Sequence, residues 1–261
     1  MISLVSKTGE SSMPYFDKGE KPRIAVVNKS TVDFGNFSAL VSALRKFNDV
    51  NFAPVWGTPA EIIEAKEIPK GFWGLVFLDA ADAPDAIGYH DLTLDGLPLG
   101  KVFVKTTMAD KASVSVTASH ELVEMLVDPG INLCALKSST GIIYALEVAD
   151  PVEETDFLVD GIAMTNFVYP SWFEEFRKPG SARFDYLGLV DRPYKLLKGG
   201  YMSVIKEKGK WTQIFGSKRR EAAFKAQNRC GKRSHRRNHL SGSPIEATDS
   251  NLWGKFRSLL W

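Results

Sequence analysis

At 261 residues, with 44% hydrophobic and 25% charged side chains, the chain has an ordinary globular composition and the length to bury a core without covalent staples. That excludes a disordered, fibrous or disulfide-framework protein. The net charge of +2 is unevenly spread: from Ser217 to His239 nine Lys or Arg stand against one acid, so this segment carries +8 and the remainder −6.

No apolar run approaches the roughly 20 residues of a membrane helix. The apolar start Met1–Val5 turns polar at Ser6, too short for a signal-peptide core. Cys134 and Cys230 match no metal or disulfide pattern and read as free thiols of a reducing compartment. The expectation is a cytoplasmic protein with no membrane partner.

Residues 1–22, rich in Ser, Gly, Lys and Glu, read as an arm, residues 23–216 as one domain and residues 217–261 as a basic tail. Arg23–Asn28 predicts a buried strand. Phe37, Leu40, Val41 and Leu44, extended by Phe47, recur at helical spacing. Asn51–Trp56 reads as a second strand stopped by Gly57, and Phe72–Asp79 as a third. A turn-rich stretch, Ala80–Gly100, then carries Gly88-Tyr89-His90-Asp91 and leads to a fourth strand, Lys101–Lys105.

Ser113–Val127 is the clearest helix, closed by Asp128-Pro129-Gly130. Ile142–Val148 predicts a strand. Asp160-Gly161 joins Phe157–Val159 to Ile162–Met164 as a hairpin, and Tyr201–Ile205 with Trp211–Phe215 form another around Gly209. Trp172 and Phe173 read as packing aromatics. The order of elements implies an α+β fold with a mixed sheet.

The central helix carries the chemistry. Val114, Ala118, Leu122, Val123, Met125, Leu126 and Val127 make most of its circumference apolar, while Thr117, His120, Glu121 and Glu124, with Asp128 beyond, form one polar stripe. Carboxylates and an imidazole on a buried helix must pair, protonate or bind a cation. His120 and Glu124 are one helical turn apart, about 5–6 Å at Cβ, a span one divalent ion bridges. Glu121 stands where His-Glu-x-x-His peptidases keep the acceptor of the metal-bound water's proton.

Glu124 replaces the second His of that motif. Carboxylates do ligate zinc, and the extra charge also admits manganese, magnesium or calcium. The bland alternative is an internal ion-pair cluster around His120. Glu147, an acid in an apolar run, tips the reading toward metal as a third ligand, with Asp150 orienting His120 from behind or serving as an alternative ligand. About one divalent ion per chain is expected.

The segments Gly88–Thr93, Gly96–Val102, Thr117–Pro129 and Glu147–Glu153 resemble a family of uncharacterised bacterial and bacteriophage proteins over roughly residues 23–206. The helix and the following glutamate resemble the gluzincin branch of zincin metallopeptidases, and more loosely plant exordium-like proteins. The resemblance implies a zincin-like mixed sheet over a central metal-binding helix, then short strands and the basic tail. It implies His120 and Glu147 as ligands, Glu121 as base, and Lys101–Lys105 as the edge strand on which a peptide pairs. The activity so implied is zinc-dependent hydrolysis of a peptide or protein substrate.

His90 is an alternative ligand, a stabiliser of the developing oxyanion, or a plain loop residue; Asp128 is an alternative ligand or a turn cap. His235 and His239 add only polarity to the tail. There Lys218, Arg219, Arg220, Lys225, Arg229, Lys232, Arg233, Arg236 and Arg237 suit a phosphate backbone read without sequence preference, or else a protein partner. With Phe224 its one aromatic, the segment offers little for base stacking. No Gly-x-Ser-x-Gly, phosphate loop or dinucleotide fingerprint occurs. The rival reading is a phage or bacterial structural protein of the virion, with a structural metal and a basic arm.

Overall fold

The computed structural model describes residues 21–82, 86–206 and 211–226. The expected arm up to residue 20, Gly209, Cys230 and the tail beyond Ala226 fall outside the described residues. Helix and strand occur in near-equal share, 27% and 29%, which makes the fold α+β.

Strand β1 (Arg23–Asn28) forms where the first apolar run predicts it, and helix α1 (Phe37–Lys46) follows. The Asn36 side chain accepts the Ala39 N–H at 3.0 Å, satisfying an amide that has no partner inside the helix.

The run Asn51–Trp56 is helical, not extended. Helix α1 continues through a π-helical turn (Phe47–Phe52) into a short helix α2 (Ala53–Trp56). Pro54 sits in the first turn of α2, where its missing N–H forfeits little. The buried rings of Phe47 and Phe52 stack with centroids 6.3 Å apart, and Phe52 meets Phe167 edge-on at 4.8 Å. Packing of these rings into the core outweighs the strand preference of the local apolar run.

Five strands form the main sheet in the order β2-β1-β3-β5-β4. The added members are β2 (Glu61–Ala65), β3 (Trp73–Leu78), β4 (Gly88–Leu92) and β5 (Pro98–Phe103). Strands β2, β1, β3 and β5 run parallel and β4 antiparallel to β5, so the sheet is mixed as expected. Its edge is not where the sequence suggests. A strand, β4, arises inside the turn-rich stretch and covers β5, which becomes interior. Strand β5 also stops at Phe103, and Val104 and Lys105 open helix α3 (Val104–Ala109).

One face of the sheet sends Ile24, Val26, Leu75, Phe77 and Val102 into the main core. The other packs Ala25, Val27, Val76 and Leu99 under Ile68 and Phe72. Burial on both faces explains why β1 and β3 read as continuous apolar runs rather than alternating ones.

Helix α4 (Val114–Val127) lies across the core face, against β4, β5 and the hairpin of β8 (Asp156–Val159) and β9 (Ile162–Thr165). Two serines fix it to the hairpin: Ser115 Oγ donates to the Ala163 carbonyl at 2.7 Å, and Ser119 Oγ accepts the Thr165 N–H at 2.8 Å.

The turn after α4 leads into a second, antiparallel sheet in the order β11-β10-β7-β6. It comprises β6 (Cys134–Lys137), β7 (Ile142–Ala145), β10 (Tyr201–Ile205) and β11 (Trp211–Phe215). At that turn the buried Asp128 carboxylate accepts the Asn132 and Leu133 N–H groups at 2.8 and 3.0 Å. Asp128→Ala removes two charge-assisted bonds and strands the amides, so it should destabilise the chain by about 2–3 kcal/mol. Urea unfolding checks this: the midpoint should fall with little change in slope.

Candidate metal centre

The chemistry collects where three elements converge: the C-terminal half of α4, edge strand β4 and the loop leaving β7. On α4 the Glu124 side chain is fully buried, Glu121 exposes 6% of its side chain and His120 13%. Solvent therefore reaches this cluster through His120 and Glu121, while Glu124 and Asp150 close its floor.

The loop after β7 is held from both sides. Leu146 N–H donates to the Leu133 carbonyl at 3.1 Å and the Val148 carbonyl accepts the Val168 N–H at 2.8 Å. The Ala149 N–H then points to Glu124 Oε1 at 3.4 Å, and a 3-10 turn (Asp150–Val152) begins. Asp150 Oδ1 thereby comes within 3.2 Å of His120 Nε2, which lies 3.3 Å from Glu124 Oε1. Two ligands at zinc-like bond lengths of 2.0–2.1 Å in tetrahedral array stand about 3.3–3.4 Å apart. His120 Nε2 stands near that spacing from both Glu124 and Asp150, and the three ligand atoms lie mutually within 4.8 Å.

Burial works against a charge on His120, but Glu124, Asp150 and Glu121 outweigh it and hold its pKa well above the usual imidazole value. The same negative field that favours a proton there favours a divalent cation.

A second group shares Glu124: His90, Glu121 and Glu124 also bring ligand atoms within 4.8 Å of one another. Strand β4 reaches α4 because small residues line the contact. A Cβ on Gly88 would stand 2.8 Å from Thr117 Cγ2, 3.0 Å from the Lys101 carbonyl and 3.1 Å from Glu121 Cγ, and one on Gly100 would stand 3.7 Å from Glu121 Cβ. His90 is paired in register with Gly100, so its ring has room on the helix-facing side. Alternation turns Tyr89 and Lys101 to the opposite face. There Lys101 Nζ bonds the Tyr89 hydroxyl at 2.8 Å and Asp82 at 2.7 Å.

Of the anticipated residues, His120, Glu121 and Glu124 are thus brought together, and His90 joins them. Glu147 does not complete the His120 group: it is buried, but belongs to neither cluster. Asp150, expected from behind or as an alternative ligand, stands beside His120 there instead. The reason is that β7 ends at Ala145, so strand alternation cannot be carried on to Glu147, and the 3-10 turn delivers Asp150 instead. Asp128 is engaged by the turn amides and belongs to neither cluster. Asp150→Ala should therefore lower divalent-ion affinity by more than the roughly 10–100-fold that an outer partner costs, with Glu147→Gln retaining it. Equilibrium dialysis of both variants checks the assignment.

In the basic segment, Lys218, Arg219 and Arg220 open helix α5 (Lys218–Ala226). Arg220 turns inward, paired with Glu153 and 3.5 Å from Glu154, its guanidinium over the Tyr201 ring. Burial disfavours its charge, yet Glu153, Tyr201 and Glu154 raise its pKa above the usual value. It anchors the helix rather than joining a phosphate-facing surface. The Lys225 side chain and Arg229, Lys232, Arg233, Arg236 and Arg237 lie outside the described residues.

Among the described residues no helix is long and apolar enough to cross a membrane. Comparison with protein-family models, with curated proteins and with solved structures finds no match.

Proposed function

We propose that the chain is a divalent-metal-dependent hydrolase with a zincin-like arrangement, acting on peptide substrates. The observation that carries this reading is the group His120, Glu124 and Asp150: one imidazole and two carboxylates, buried, at ligand spacing, on a His-Glu-x-x-Glu helix. The donor set suits zinc, and its carboxylates admit manganese. Three protein ligands leave a coordination position for water, as catalytic sites require.

The ion, when bound, lowers the pKa of that water and polarises a carbonyl. Glu121, one residue along from His120 and buried but for 6% of its side chain, accepts the water's proton. Among the described residues β4 has no strand on its outer side, and it carries His90 into the cluster. An extended peptide pairing there would lie beside the reacting centre. The basic segment, by composition, adds affinity for a polyanion or a protein partner.

The test is metal-dependent cleavage of a peptide library by the full chain. Chelation should abolish cleavage, and zinc or manganese should restore it. Cleavage indifferent to chelation, or none by the fully loaded chain, would overturn the reading.

A further inference from the structure

We infer that the centre is dinuclear: a second divalent transition ion binds to His90, Glu121 and Glu124, next to the ion on His120, Glu124 and Asp150, with Glu124 bridging the two. This rests on the proposed function for the first ion; Glu121 would offer the second ion Oε2, the oxygen that faces His90, and keep its other oxygen for the water's proton.

Glu124 belongs to both groups, and different oxygens serve each. Oε1 faces His120 Nε2 at 3.3 Å and Oε2 faces His90 Nδ1 at 3.9 Å. A carboxylate that turns one oxygen to each of two imidazoles is disposed as a bridge between ions about 3.5–4 Å apart, the spacing of two-metal hydrolytic centres.

The distances around His90 point the same way. Its Nδ1 stands 3.6 Å from Glu121 Oε2 and 3.9 Å from Glu124 Oε2. Charge-assisted hydrogen bonds between such groups are about 2.7–2.9 Å long, so these are not hydrogen-bonding separations. They lie within the roughly 4.2 Å that two ligands of one ion with bonds near 2.1 Å can span.

The backbone contributes as well. Gly88 and Gly100 let β4 and β5 approach α4 at Glu121, and the His90–Gly100 register aims the imidazole at the two carboxylates. His90 is wholly buried. Each group by itself joins one imidazole to two carboxylates, a donor set that suits a divalent ion, and Glu124 is common to both.

The experiment titrates the full-length, chelator-stripped chain with manganese(II), followed by bound-metal analysis and electron paramagnetic resonance. The expected result is about two equivalents per chain, the second producing a spin-coupled spectrum as a bridged pair requires. His90→Ala should bind about one, with an uncoupled spectrum. One uncoupled equivalent in the wild type, or two that survive His90→Ala, overturns the dinuclear inference and leaves the His120 site standing. No uptake at all overturns the first site as well. Should His90→Ala fail to fold, the wild-type spectrum decides: coupling supports the bridge and its absence at full loading refutes it.

Discussion

Glu121→Gln lowers hydrolysis by about 10²–10⁴-fold, the usual contribution of a positioned general base. The side chain keeps its volume and hydrogen-bonding reach, but an amide cannot take the proton of an ion-bound water at neutral pH. The ion on His120, Glu124 and Asp150 should stay, because Glu121 is not a member of that group. The amide also weakens the group around His90, so His90→Ala must be measured beside it. His90→Ala disturbs that group and leaves the proton acceptor intact, so Glu121→Gln should show the larger fall. Peptide cleavage at matched first-site loading reads both; equal activity in wild type and Glu121→Gln removes the general base from the mechanism.

Trp172→Ala costs about 3–5 kcal/mol of stability, as a large buried aromatic does when truncated. Trp172 lies in a 3-10 turn (Pro170–Phe173), wholly buried, with its Nε1–H donated to the Lys195 carbonyl at 2.8 Å. Its ring meets Phe173 at 4.8 Å, Tyr194 at 5.3 Å and Tyr144 at 6.2 Å. Truncation thus opens a cavity and strands a carbonyl together. Tyr144 belongs to β7, the strand that leads into Asp150, so the cavity adjoins the support of the candidate metal centre. The thermal midpoint should drop by roughly 6–20 °C for a domain of this size, and differential scanning calorimetry reads it. A change below about 1 kcal/mol would mean that the aromatic cluster repacks without loss.

The helix bearing His120, Glu121 and Glu124 was legible because its signal is local: polar residues at helical spacing in an apolar segment, ended by Asp-Pro-Gly. The hairpin at Asp160-Gly161 was legible for the same reason, since a two-residue turn is written in the residues that make it. Local signal failed where neighbours distant in the chain decide. Asn51–Trp56 has the apolar character of a strand, yet Phe52 finds Phe167 and the segment folds as helix. Gly88–Leu92 looks like loop because its glycine and polar residues suit a turn, yet β5 supplies the hydrogen-bonding partner that makes it a strand.

The same division runs through the site. By itself the sequence determined that a buried helix carries an imidazole and two carboxylates that must pair, protonate or bind a cation, because burial and helical spacing follow from local pattern. Only the tertiary structure decided which further groups meet them. Asp150 rather than Glu147 reaches His120, because a strand ends two residues before Glu147 and a 3-10 turn follows. His90 arrives from an edge strand 30 residues earlier in the chain than His120, through a contact that two glycines leave room for. Ligand sets are assembled by long-range packing, and a one-dimensional spacing rule holds only while the chain between two residues keeps a single regular conformation.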